Sequence, residues 1–229
     1  MVGTIVNSIV VIIGCLIGLV VKGRLQSNIS NTIMSGLGLC VLYIGVSGAL
    51  KGENTLLMII CIVLGALIGE LIDIDKRLNN LGNKIEKRIN KGNENNISIA
   101  EGFVSASLLF CVGAMAIVGS LESGLRGNHD TLFAKSLLDG VTSIILTSSL
   151  GIGVIFSSAT ILIYQGLITL GAGLLASVLS QSVINNMTAV GSLLIIGLGL
   201  NMLNVTKIKV ANILPSVILP IIIGFLFNI

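Results

Sequence analysis

Charge is what this sequence has least of. Lys and Arg number 13 and Asp and Glu 10 in 229 residues, 10% of the chain, against about 25% in a typical soluble domain. Trp is absent, Tyr and Pro occur twice each, and His once. So few charges exclude a water-soluble enzyme or a disordered chain, because neither a solvated surface nor a charged coil can be built from them. The four cysteines (Cys15, Cys40, Cys61, Cys111) lie inside apolar runs and read as small buried hydrophobes, which excludes a disulfide-rich secreted domain. Without Trp there is no aromatic belt to mark membrane interfaces. No HExxH, GxSxG or phosphate-binding glycine loop occurs, so neither an enzyme nor a cofactor is expected. The formal charge of +3 gives no reason to expect nucleic acid.

What the chain has is apolar length: 54% of residues are hydrophobic and the mean hydropathy is +1.05. A membrane helix needs roughly 20 apolar residues. Runs of that kind fall at 2–21, 31–50, 55–72, 102–121, 134–152, 154–178, 187–204 and 209–227. They predict an all-α polytopic membrane protein of about eight transmembrane helices. Its partners are the lipid bilayer and a small solute or ion, and a homo-oligomer stays open. The 28 glycines suit close helix packing. The boundary between spans five and six rests on Gly151-Ile152-Gly153; without a turn there, 134–178 would be one long or broken helix.

Basic residues favour the cytoplasmic side. Eight spans put ten of them on one side (Lys22, Arg24, the six of 76–91, Lys207, Lys209) and three on the other (Lys51, Arg126, Lys135). Both termini are therefore expected outside. The first helix, with its positive charge after rather than before it, reads as uncleaved. Residues 73–98 hold ten of the 23 charges, yet Ile74, Leu78, Leu81, Ile85 and Ile89 share a helical face. That segment reads as an amphipathic helix on the cytoplasmic surface, or a partner-binding helix, followed by an Asn-rich linker.

Spans one to three resemble spans six to eight. A shift of 155 pairs Gly18 with Gly173, Ser27 with Ser182, Asn31 with Asn186 and Gly36 with Gly191; a shift of 154 pairs Gly45 with Gly199. An odd number of spans separates the copies, so the second would be inverted, the usual frame of a secondary transporter. The organisation would be a three-helix unit at 1–72, a cytoplasmic helix and linker at 73–100, a central helix pair at 101–153 and a second three-helix unit at 154–229.

An ionisable group at membrane depth costs about 2.5–3.5 kcal/mol on insertion scales and is a functional candidate by default. Lys135, Asp139, Ser143 and Thr147 recur four apart in span five and share a face. A carboxylate with hydroxyls above it suits a small cation or a proton. Equally, Lys135 could simply neutralise Asp139 near the outer interface. Glu70 lies three residues, about 4.5 Å of rise, before Asp73, and could mark the end of span three. Asn7 and Gln165 could bond across helices or touch substrate. Pro215 and Pro220 each remove a helix hydrogen bond in span eight. Glu122, His129 and Asp130 share an outer loop, where a metal is conceivable and solvation the simpler reading.

Cys111-Val-Gly-Ala-Met-Ala-Ile-Val-Gly-Ser-Leu-Glu-Ser-Gly-Leu-Arg-Gly127, Lys135-Ser-Leu-Leu-Asp-Gly140, Leu150-Gly-Ile-Gly-Val154, Gly3-Thr-Ile-Val-Asn7 and Tyr164-Gln-Gly166 resemble the bacterial inner-membrane family of unknown function typified by YdfK and YqgA. The resemblance runs over essentially the whole chain. It implies a bacterial cytoplasmic membrane and a uniform polytopic fold, and names no substrate. The residues themselves favour a small secondary transporter or ion-coupled permease centred on Asp139, with a channel, or a scaffold acting through 73–98, as alternatives.

Overall fold

A computed structural model describes residues 1–22, 27–80, 99–112, 114–175 and 179–227. Among them every regular element is helical: α1 (Val2–Lys22), α2 (Ser27–Ala49), α3 (Thr55–Ile72), α4 (Ile99–Cys111), α5 (Ala114–Leu125), α6 (Asp130–Leu150), α7 (Ser157–Leu170), α8 (Gln181–Met202) and α9 (Leu219–Phe227), with short helical turns between them. The predicted amphipathic helix is helical over 74–80, and the rest of it, with its linker, lies outside the described residues.

The exterior and interior are reversed relative to a soluble protein. Leu71, Leu138 and Ile163 are 80%, 58% and 63% exposed, whereas Asn7, Ser143 and Gln165 are at 0%. Apolar surface on that scale is at home in lipid. Among the described residues four helical runs are long and apolar enough to cross a membrane: Val2–Lys22, Thr55–Ile72, Asp130–Leu170 and Gln181–Met202. The pair α4 and α5, bent by 60°, makes a fifth if it counts as one span; Met34–Ala49 and Val210–Gly224 are shorter apolar helices.

Glycine seams hold the bundle together. In α1, Gly14 lies against Ser143 and the Gly140 carbonyl, and Gly18 against Thr147 and the Ile144 carbonyl. A Cβ at either position would collide with backbone. Gly3 meets Leu132 and Lys22 meets Gly151, so α1 and α6 run parallel along their whole length. The chain then turns back. Thr169 in α7 reaches Thr4 at 3.5 Å between hydroxyls. A straight helix over Asp130–Leu170 would be roughly 60 Å long, and its two ends could not both meet the first turn of α1. The reversal lies in the 3-10 segment Gly151–Phe156, where Gly151 takes a φ of 80° that suits glycine.

Two further helices of the first trio also pack antiparallel on late ones. Gly38 and Gly45 of α2 face Leu203 and Ile196 around α8. Gly65 and Gly69 of α3 face Ser216 and Asn212 in the broken approach to α9. That approach is a turn of helix, Val210–Ile213, then a 3-10 segment, Leu214–Val217, carrying Pro215, with Pro220 in the first turn of α9. The prolines start new helical segments instead of kinking one, and the break seats against the small-residue face of α3. One end of the bundle gathers Lys22, Asp75, Glu101 and Lys209; the other gathers Lys51, Glu53, Arg126 and His129.

Candidate functional site

The polar face of α6 is turned inward. Lys135, Ser136, Asp139, Ser143 and Thr147 are all buried, and Lys135 and Asp139 keep only 7% and 6% exposure. The i, i+4 spacing brings the Lys135 ammonium to both carboxylate oxygens, donating to Oδ1 at 2.8 Å and to Oδ2 at 2.7 Å. Asn7, buried in α1 on the parallel seam, donates from Nδ2 to Asp139 Oδ2 at 3.0 Å. Its amide oxygen is buried without a partner. One carboxylate thus receives three hydrogen bonds from two helices and carries one countercharge.

The hydroxyls above it differ. Ser136 and Ser143 donate to the carbonyls of Leu132 and Gly140 in their own helix, each at 2.7 Å, which frees no hydroxyl proton for a ligand. The Thr147 hydroxyl has no oxygen or nitrogen partner, and the Cys15 thiol lies beside it. Across the α1 seam, Ser8 donates to the Ser158 carbonyl of α7 at 3.0 Å. Gln165 stands on the same buried face of α7 as Ser158 and Thr169, and neither amide atom has a partner. Orphaned buried amides are costly, at about 1–3 kcal/mol each. They mark a place where something polar belongs.

Glu70 stands apart from this cluster. It sits at the end of α3, accepting from Lys209 at 2.8 Å and from Asn212 at 2.5 Å, with the Glu70 side chain 59% exposed. Asn212 in turn accepts from the Asp75 backbone at 2.7 Å. Glu70 holds Lys209 above its ordinary pKa. This is a clasp at the end that carries Lys22, not part of the buried centre. In the opposite loop Thr131 donates to Glu122 at 2.7 Å, and Ser123 pairs with His129 at 2.9 Å.

A cavity of about 250 Å³ lies between α4, α7 and the Leu214–Val217 turn, with Cys111 and Tyr164 in its lining. Both pack in the cluster that contains Val11, one turn along α1 from Asn7. A second cavity, of about 170 Å³, lies at the other end of α4 among Asp75, Glu101, Ser105 and Asn201. Asp139 lines neither. Sequence reasoning marked Asp139, Lys135, Asn7 and Gln165 but not that Asn7 would be the carboxylate's second partner. It also missed the 60° bend beside Cys111.

Residues 2–225 match the protein family of unknown function DUF554. The chain belongs to the DUF554 family. It is 32% identical over 232 residues to the uncharacterised membrane protein YdfK of Bacillus subtilis (strain 168), covering 100% of this chain and 97% of YdfK. It is 31% identical over 220 residues to the uncharacterised protein YqgA of Escherichia coli (strain K12), covering 95% of this chain and 94% of YqgA. No solved structure matches. As a DUF554 chain with its apolar surface outward, it is a membrane protein, with Lys135, Asp139 and Asn7 buried between α1 and α6.

Proposed function

We propose that the chain is a secondary transporter or permease for a small ion or metabolite, coupled to a cation or proton, with Asp139 at its centre. The observation that carries this reading is the charge pair Lys135–Asp139 buried between helices of a membrane protein. A buried pair returns little net stability, because desolvation offsets its Coulomb attraction, and two apolar side chains would pack as well. A chain that spends so few charges and puts two of them there uses them for something besides folding. Unpartnered amide atoms on Asn7 and Gln165 add polar capacity beside the pair.

Inverted three-helix repeats fit the packing. The proposed counterparts α1 and α7, α2 and α8, and α3 and α9 are each in contact, and each pair runs antiparallel, as a two-fold axis in the membrane plane requires. The reversal at Gly151–Phe156 supports separate fifth and sixth spans, and hence eight. In this reading the end carrying Lys22 and Lys209 faces the cytoplasm of a bacterium, both termini lie outside, and the cavity lined by Cys111 and Tyr164 is a route toward the centre.

Proteoliposomes loaded with a pH-sensitive dye test the reading. Inward gradients of alkali cations, amino acids and organic acids are imposed on wild type and on Asp139→Asn. At least one gradient is expected to move protons in the wild type and not in the variant. Identical traces for every solute, with this dye and with one that reports alkali cations, would overturn the proposal.

A further inference from the structure

We propose that the Asp139 carboxylate binds a monovalent metal cation with the Asn7 amide oxygen as a second ligand, and that this cation and the Lys135 ammonium exclude one another from the carboxylate. The site takes its purpose from the transport reading above, but binding is measurable without transport.

The charge count selects the class. One carboxylate neutralises one positive charge, and divalent cations gather more acidic ligands than this cluster holds. Lys135 already occupies the place of a cation, donating to both carboxylate oxygens. Asn7 turns its Nδ2 to the carboxylate, while its Oδ1 is fully buried and has no partner. Rotating that amide exchanges nitrogen for oxygen against Asp139. The exchange is repulsive with nothing between the two oxygens and favourable with a cation there, so the orphaned atom and the carboxylate make a pair that a cation completes, as a proton on the carboxylate would. Gln165, on the α7 face that touches α1 through Ser158 and Thr169, supplies a further unpartnered amide at the same helix junction.

Lys135 has somewhere else to go. Side chains on a helix lean toward its N-terminus, and an acid four residues after a lysine is the poorer of the two i, i+4 orientations. The Lys135 side chain is thus held against its natural lean. Helix α6 begins at Asp130, five residues or about 7.5 Å earlier. There the Asp130 and Glu122 carboxylates stand at the rim beside Thr131. A lysine stem can span that distance and keep its ammonium in a polar environment. Inward, the ammonium holds Asp139; outward, it leaves the carboxylate to the cation.

Thermal unfolding of the purified chain in nanodiscs, at fixed pH and ionic strength, tests this as choline chloride is replaced by NaCl, LiCl or KCl. The wild type is expected to be stabilised by one or more of these cations. Lys135→Gln removes the competitor and is expected to reach half-saturation at a concentration lower by about tenfold or more, equivalent to 1.4 kcal/mol of competition removed. Lys135→Arg, whose guanidinium grips the carboxylate at two points, is expected to fold and to lose the response. Asp139→Asn is expected to lose it as well. The proposal falls if no cation stabilises either the wild type or a cooperatively unfolding Lys135→Gln, or if both respond at the same concentration. It falls too if Asp139→Asn responds like the wild type. Should Lys135→Gln fail to fold, a Lys135→Arg response equal to that of the wild type overturns it. Cation stabilisation without solute flux in proteoliposomes would sink the transport reading and leave the site; flux without cation stabilisation would do the reverse.

Discussion

Asn7 and Asp139 stand 132 positions apart in the chain and are joined by a hydrogen bond of 3.0 Å. That bond ties the first helix to the charged turn of α6, and the glycines that let α1 come close continue the contact to Gly18. Removing either member of the ion pair alone strands a buried charge. Asp139→Leu or Lys135→Met is therefore expected to cost about 3–5 kcal/mol, whereas the double substitution should lie within about 1–2 kcal/mol of the wild type. Denaturant or thermal unfolding of the four proteins in one detergent reads the coupling. A double variant as unstable as the worse single would mean the pair is structurally required.

The parallel seam gives a second expectation. Gly14→Ala drives a methyl group into Ser143 and the Gly140 carbonyl, and overpacking of this kind costs about 1–3 kcal/mol. Gly36→Ala is its control, because nothing lies within 4 Å of the added carbon. Its effect should be neutral or stabilising by up to about 1 kcal/mol. Comparable melting temperatures for the two variants would contradict the close approach of α1 and α6.

Acid should loosen the α2–α3 turn. Glu53 accepts from Asn185 at the start of α8 at 2.7 Å, and its backbone donates to Asn186 at 3.3 Å. The Asn185 bond, with a second from Ser182, holds the Glu53 carboxyl below its ordinary pKa. A depressed carboxyl stabilises the fold fully above its unfolded pKa, and that contribution disappears as pH falls through the lower, folded one. Amide exchange at 50–54 should therefore be slow above the ordinary carboxylate range and quicken as pH falls from that range to the lower, folded pKa, while Glu53→Gln should show no such acid step. Exchange that is pH-independent once the chemical rate is removed would contradict the tie.

Single-cysteine variants in a background lacking Cys15, Cys40, Cys61 and Cys111 test the crossing pattern. Labels at Lys51, Gly127 and Leu174 are expected to react from one face of the membrane, and labels at Lys76, Ile152 and Lys207 from the other. Reaction of Ile152 from the same face as Gly127 would remove the reversal between α6 and α7.

Part of this is legible in the sequence alone. Four-residue spacing puts Lys135, Asp139, Ser143 and Thr147 on one face, and the structure turns that face inward. Periodicity fixes the face of a helix but says nothing of which helix covers it. Asn7 could have met any of several helices, and it is the smallness of Gly14 and Gly18, matched by Gly140 across the seam, that selects α6. Glu70 carried the same sequence signal as Asp139, an acid beside an apolar run, yet three residues of further rise and a lysine at 209 put it at a surface clasp. The bend beside Cys111 had no forecast because no proline marks it; the turn at 151–156 did, through its two glycines.

The neighbour that α1 needs is made late. Asn7 leaves the ribosome more than 120 residues before Asp139, an interval of roughly 6–25 s at ordinary synthesis rates. For that time the first helix must wait in lipid with an amide unmatched, a burden light enough for so apolar a segment. Asp139 could not wait in the same way, and it does not have to, because Lys135 is made just ahead of it on the same helix and can neutralise it during insertion. The ion pair that closes the finished protein thus also lowers the cost of carrying Asp139 into the membrane before α6 is packed.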